Sequence, residues 1–366
     1  MAETLTQSPA ALAVAVMPDV VPARVFIDLT HLGRHVTGIE RVSIEQFEKV
    51  DFAQARVTAV RANGILSLIL RQQIYLPLLA LFYPRAMFVF PGFAPSPLFV
   101  FARKRVFVYV HDLFLITRPA DLAAKAKAYM ARPFAFAVKH LNHFQVNSQK
   151  TADELAPFVR AGATISLYRP AVRNVFALEP GDRDERPVRP KCLNFVTLGT
   201  VEPRKNYGAA LAIDDELAKR GFEARLHIIG REGWGDAGCA LKAHPRVTIH
   251  GYLPAEKVKV LMEGGDLYLC TSHDEGLGLP LLEAQFAGLA VVAPLGAVFR
   301  EVLGTSAIFV DTSKPAAAAE AIAMALEARD WRQRTRGEAL ANVARWNGLA
   351  AHDAEIARAM FVGARG

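Results

Sequence analysis

The sequence predicts an α/β protein built from two doubly wound halves. Three observations carry that expectation. Short β-branched runs alternate with longer helical patterns along the whole chain, the rhythm of parallel strands returned by helices. At 366 residues the chain exceeds one ordinary α/β domain and suits two halves of about 170–180 residues. Between them, LEPGDRDERPVRP (178–190) is rich in proline and charge and lacks apolar periodicity, so it reads as a linker.

Taken in order, residues 1–23 read as a flexible leader. They carry Glu3, lack a basic start and offer only the short apolar piece ALAVAV, so a secretory signal is not expected. The first half, 24–177, shows strand patterns at RVFIDL (24–29), RVTAV (56–60), AMFVF (86–90), RVFVYV (105–110), HFQVN (143–147) and TISLY (164–168). The second half, 191–345, repeats them at CLNFVTL (192–198), ARLHIIG (224–230), VTIH (247–250), LYLCT (267–271), LAVVA (289–293) and AIFV (307–310). From Asp330 to Met360 the pattern is helical and carries Trp331 and Trp346, with residues 346–366 expected to cross back over the domain joint. Two such halves are expected to face one cleft with the carboxyl ends of their strands, where ligands bind in these folds.

Composition narrows the function. Cys192, Cys239 and Cys270 are an odd, scattered set without a CxxC pair, and no histidine cluster has metal spacing. Reduced, buried thiols in a cytoplasmic protein are therefore expected, not a disulfide or zinc framework. The net charge of +7 is uneven, with +8 over residues 1–180 and −1 over the remainder. A basic front half points to an anionic partner. With no nucleic-acid motif present, an anionic membrane face or a lipid-linked phosphate is the preferred partner. The most apolar stretch, Gly64 to Pro84, is interrupted by Arg71, Gln72, Gln73 and Pro77 and is not expected to span a bilayer. A peripheral membrane contact and a buried pair of core helices remain equal readings of it.

The chemistry concentrates in TSHDEGLGLPLLEAQFAG (271–288). A strand ends at Thr271, a glycine-bearing loop follows, Pro280 suits a first helical position, and Gly288 suits a left-handed stop. Gly276 and Gly278 allow backbone N–H groups to approach a ligand, and a helix start favours negative charge. Glu275 and Glu283 flank this anion cradle. Carboxylates beside phosphates make sense as acceptors for hydroxyls, each hydrogen bond worth about 1.5–3 kcal/mol. One for a ribose diol and one for sugar hydroxyls would read a nucleotide sugar from end to end. Upstream, Arg204 and Lys205 follow a strand end and the break at Glu202-Pro203, a position from which fixed cations stabilise a departing diphosphate. His111 and Asp112 stand at another strand end; Asp112 suits a helix cap as well as an acceptor contact. Asp182-Arg183-Asp184 spells DxD inside the linker and reads as a solvated charge run. GLGLPL lacks the third glycine of a dinucleotide fingerprint.

EGLGLPLLEA resembles the E-x7-E signature of family 4 glycosyltransferases, retaining enzymes of the two-domain GT-B fold that include bacterial mannosyl- and rhamnosyl-type transferases of polysaccharide assembly. FVTLGTVEPRKN (195–206), REVLGTSAIFVDTSKPAAAAEAI (300–322), VFIDLTHLGRHVTGIERV (25–42) and VYVHDLFLITRP (108–119) extend the resemblance over nearly all of residues 24–350. It implies two Rossmann-like domains, an acceptor domain first and a nucleotide-sugar donor domain second. It implies a catalytic set of Glu275, His111, Arg204 and Lys205. Donor contacts would come from Gly38, Gly199, Thr200, Asn206, Gly276, Leu277, Gly278, Leu279 and Glu283. Some members carry an arginine just after the strand-end glycine where this chain has Thr200, which leaves Arg204 and Lys205 as the main phosphate clamps. No cofactor and no metal is implied, the nucleotide-diphosphate sugar being a substrate. The expected reaction moves a hexose to a saccharide acceptor, lipid-linked and at the inner face of the plasma membrane, for cell-envelope polysaccharide or glycolipid. The rival readings are a GT-B sugar-nucleotide epimerase or phosphorylase and a non-catalytic nucleotide-sugar-binding subunit.

Overall fold

The computed structural model describes residues 24–32, 38–48, 55–118, 127–180, 192–233 and 237–362. The expected leader, residues 33–37 of the first glycine loop, and residues 181–190 of the expected linker, with Asp182-Arg183-Asp184, lie outside them.

All twelve strand patterns form strands. The first sheet comprises β1 (Arg24–Asp28), β2 (Arg56–Val60), β3 (Met87–Phe90), β4 (Val106–Val110), β5 (His143–Val146) and β6 (Thr164–Leu167), in the parallel order β2-β1-β3-β4-β5-β6. The second comprises β7 (Cys192–Leu198), β8 (Glu223–Ile229), β9 (Val247–Gly251), β10 (Leu267–Leu269), β11 (Ala290–Pro294) and β12 (Ala307–Val310), in the parallel order β12-β11-β10-β7-β8-β9. The central strands β3, β4 and β11 are buried at every residue, as continuous apolar runs covered by helices on both faces require.

The chain divides into two compact units, Met1–Pro170 with Ala351–Gly366, and Ala171–Ala350. The change of unit thus falls before residue 177. The reason is local: Val172 and Leu178 join the second unit's core, and Val172 N donates to Asn347 Oδ1 at 2.8 Å. The last helix, Trp331–Val362, begins well before residue 346 and contributes to both units. Its Trp346 is fully buried in the second core beside Val172. Its Asp353 serves the first unit, accepting from Arg169 Nη1 at 2.8 Å and Arg169 N at 3.1 Å.

Two expectations are corrected. Gly64 to Pro84 is neither a pair of helices nor buried. Ile65–Phe82 is one helix of 18 residues, 22% buried, because only one stripe of it meets the sheet. Of the three free thiols, Cys270 is buried, Cys192 partly so, and Cys239 is exposed.

Candidate functional site

β7 and β10 are neighbours in the second sheet although β8 and β9 intervene in sequence, so the strand order reverses between them. At such a point the connections leave on opposite sides and open a crevice beyond the strand carboxyl ends. The residues singled out in the second half leave from these two ends.

After β7 the chain turns at Gly199, with φ +147°. A Cβ there would lie 3.0 Å from Lys205 Cε, so glycine makes room for the lysine stem. Gly230, after β8, is tighter still: its Cβ would sit 2.0 Å from the Gly199 carbonyl oxygen. Pro203–Lys205 forms a single tight turn, and Asn206 adopts a left-handed conformation (φ +50°) before the helix Tyr207–Lys219, a geometry asparagine tolerates better than most residues. Across the crevice, Thr271 Oγ1 donates to the Lys205 carbonyl at 3.0 Å and His273 N to the Arg204 carbonyl at 2.9 Å. The two strand ends are thereby fixed to each other.

Glu275 sits at the centre of this arrangement, 8% exposed. Its Oε2 accepts from Arg204 Nη1 at 2.5 Å, and its Oε1 accepts from Lys205 Nζ and Ser272 Oγ, both at 2.7 Å. Arg204 is held from its other edge by Glu202, whose Oε1 accepts from Nη2 at 2.6 Å and Nε at 3.1 Å, while Nη1 also reaches the Asp274 carbonyl at 3.0 Å. Burial pushes the Glu275 carboxyl upward, but the charges of Lys205 and Arg204 and their hydrogen bonds overcome it and hold it down at about 2. Burial lowers the Arg204 guanidinium, and Glu275 and Glu202 more than restore it, so that it is raised. Lys205 and the ionised Glu275 therefore face one pocket, lined also by Tyr207, Tyr268, Gly278 and Leu281, while Arg204 pairs with Glu275 without lining it.

Gly278 adopts φ +82° and caps the helix Leu279–Phe286; its Cβ would lie 2.9 Å from Leu281 Cδ1. The helix starts at Leu279, so Pro280 takes the second position, one later than expected, and Gly288 makes the left-handed stop at φ +67°. The Leu277 side chain is buried in the second unit's core and does not line the pocket. Glu283, 4% exposed, lies further along the helix and does not line the pocket, nor do Thr200 and Asn206.

In the first unit, His111 follows β4 and its Nε2 donates to the Pro91 carbonyl at 2.7 Å. Burial lowers its imidazole to about 4, so it is neutral with Nδ1 as an acceptor. It lines a cavity of about 270 Å³ with His31, Gln72, Tyr109, Asp112 and Tyr129. Burial likewise takes His31 to about 4. Asp112 Oδ1 accepts from Phe114 N at 3.0 Å, two residues on, while the N-cap position of the short helix Phe114–Thr117 is Leu113. Gly38 opens the first helix, Gly38–Ser43, with open space where a side chain would stand.

Sequence reasoning missed Ser272, Glu202, Gly230, His31 and Gln72. Ser272 and Glu202 lie within three residues of chosen ones, a signal that was available. Gly230 and His31 gave none, because their importance comes from contacts with Gly199 and Gly92 on other strands.

Residues 193–328 match the family described as glycosyl transferases group 1. This stretch is a group 1 glycosyltransferase domain. The chain is 31% identical over 135 residues to the serotype-specific mannosyltransferase WbdA of Escherichia coli, covering 35% of this chain and 17% of that protein. It thus spans about a sixth of the length of that relative. It is 25% identical over 260 residues to the O-antigen chain mannosyltransferase B of Escherichia coli, 65% of each protein. Among solved structures, Anabaena HepE in complex with UDP-glucose superposes with a TM-score of 0.62 at 14% identity, covering 90% of this chain and 98% of that one. The two-sheet glycosyltransferase architecture is the GT-B fold.

Proposed function

We propose that this chain is a retaining hexosyltransferase, metal-independent and cytoplasmic, that moves a sugar from a nucleotide-diphosphate donor to a saccharide acceptor in envelope polysaccharide synthesis. Mannose is the first candidate, since both curated relatives carry mannosyltransferase names. The observation that carries the reading is the Glu275–Lys205–Arg204 cluster at the reversal between β7 and β10.

In this reading Arg204 and Lys205 turn from Glu275 to the donor diphosphate, where fixed cations stabilise the charge that grows as the glycosidic bond breaks. Glu275, ionised down to about pH 2, then accepts hydrogen bonds from the sugar hydroxyls. Backbone N–H groups from Gly276 to Leu279 take the remaining phosphate and sugar oxygens, and Glu283 the ribose diol. The acceptor oxygen forms its bond to the anomeric carbon on the face from which the diphosphate leaves. The acceptor proton passes to that diphosphate, so no protein nucleophile is required. Neutral His111 offers Nδ1 as an acceptor for a sugar hydroxyl in the first unit's cavity. The acceptor is lipid-linked and the chain works at the inner face of the membrane.

Thermal-shift screening of the full chain against GDP, UDP and dTDP and their hexose conjugates, with chelator present, tests this. Stabilisation of about 2.7 kcal/mol is expected at a hundredfold excess over Kd. If no nucleotide sugar stabilises the chain, the site reading fails. If stabilisation and transfer both require a divalent cation, metal independence fails instead.

A further inference from the structure

The crossover between β2 and β3 carries an apolar surface that donor chemistry does not use. Ile65–Phe82 is an 18-residue helix of mean hydropathy 1.6. One stripe at four-residue spacing, Gln72, Leu76 and Ala80, is buried. Gln72 Nε2 donates to Asp28 Oδ2 at 2.9 Å, and Leu76 and Ala80 belong to the first core. The opposite stripe, at the same spacing, is Leu66, Leu70, Ile74, Leu78 and Phe82, exposed by 71, 47, 53, 44 and 75%. The tight helix Pro97–Arg105 extends this surface. Arg105 donates to the carbonyls of Ala80, Tyr83 and Ala86 at 2.9–3.0 Å and so fastens the tight helix to the end of the longer one. Its three-residue period aligns exposed Leu98 and Phe101 with Lys104.

Charge identifies what meets this surface. From Phe52 to His111 the sequence holds no acidic residue and seven cations: Arg56, Arg61, Arg71, Arg85, Arg103, Lys104 and Arg105. All but Arg105 are exposed, and of these Arg61 is paired with Glu48. Two copies meeting through such faces would set cations against cations. An anionic lipid surface instead meets both the apolar stripe and the charge. The helix cannot cross the bilayer without withdrawing Leu76 and Ala80 from the core and breaking the Gln72–Asp28 bond.

We propose that this surface rests in the headgroup–acyl boundary of an anionic bilayer leaflet. The helix lies flat, with Leu66, Leu70, Ile74, Leu78 and Phe82 inserted and the arginine and lysine heads at the phosphates. Gln72 and Gln73 of the same helix line the 270 Å³ cavity, so a lipid-borne saccharide would present its polar head beside it. The inference deepens the lipid-linked acceptor reading and rests on it for its purpose, but its test needs no turnover.

Flotation of the full chain with phosphatidylcholine vesicles, with and without phosphatidylglycerol, reads it directly. The wild type should float with the anionic vesicles alone. Leu66→Ser, Ile74→Ser, Leu78→Ser and Phe82→Ser combined should lower that partition at least tenfold with an undiminished melting temperature. Arg103→Gln with Lys104→Gln should lower it roughly fivefold per cation and flatten its salt dependence. A wild type that stays down with anionic vesicles at low salt, or an apolar variant that floats like the wild type, overturns the proposal. So does a vesicle-free dimer that the apolar variant converts to monomer, which would assign the face to a second copy. Nucleotide-sugar stabilisation, measured alongside, stays unchanged in both variants. If flotation fails while stabilisation persists, only this inference falls.

Discussion

Replacing Glu275 with glutamine keeps the side chain's shape and removes the charge that pairs with Arg204 and Lys205. The carboxyl is 8% exposed and accepts from Arg204, Lys205 and Ser272 at 2.5–2.7 Å. It titrates at about 2 against an ordinary 4.5, a difference worth about 3 kcal/mol at ~1.4 kcal/mol per unit. At about 2–4 °C per kcal/mol for a unit of this size, Glu275→Gln should lower the second unit's melting temperature by roughly 6–12 °C at neutral pH. The sign with pH follows from linkage: the folded carboxyl binds its proton less readily than the unfolded one. Its stabilisation is therefore complete above the ordinary value and is lost as pH falls from there through the folded value. Paired melts by circular dichroism should show a constant gap from about pH 8 to 6, shrinking by more than half near about pH 3. A gap under about 2 °C at neutral pH, or one that persists undiminished into acid, refutes the reasoning, because the cluster would then contribute no net ion-pair stabilisation.

The same variant removes the carboxylate charge that pairs with Arg204 and Lys205, so it should bind free nucleoside diphosphate as tightly as the wild type or more so while transfer collapses; calorimetry beside a transfer assay separates the two. Lys205→Ala should reduce turnover at saturating donor by about 10²–10³, and a variant keeping more than a tenth of wild-type turnover would remove Lys205 from the leaving-group site. Gly278→Ala forces a side chain onto a backbone at φ +82° and within 2.9 Å of Leu281 Cδ1. Chemical denaturation should register a loss of roughly 1–3 kcal/mol. Burial lowers His31 and His111 to about 4, so the unfolded chain takes up more protons than the folded one between that value and the ordinary 6.5. Stability should therefore fall as pH is lowered through this window, and His111→Gln should flatten the decline; an unchanged slope would mean His111 is not held neutral by burial.

The strands were legible because a parallel sheet covered on both faces demands continuous β-branched runs, and runs such as MFVF and VFVYV admit few other readings. The glycine loop was legible as a loop between strand and helix because its turn residues lie within one contiguous stretch, 271–288. What Glu275 touches was not. Residue types alone suggest separate duties, cations for phosphate and carboxylate for sugar, whereas the folded chain pairs them directly. Arg204 and Lys205 lie some seventy positions from Glu275, and only the adjacency of β7 and β10 brings them together.

The helix Ile65–Phe82 marks the same boundary from the other side. Its composition announced an apolar segment but left open which residues would be covered, because leucines on every side satisfy both a core and a surface reading. The sheet decided: Gln72 turned inward to Asp28, and Leu66, Leu70, Ile74, Leu78 and Phe82 stayed outside. Local pattern by itself determined the elements, their parallel pairing class and the place of the glycine loop, since hydrophobic period and turn chemistry act over a few residues. Ion-pair partners, the buried face of an apolar helix and the residue at which one unit gives way to the other were decided only in three dimensions. Each depends on which distant segments the strand order sets side by side.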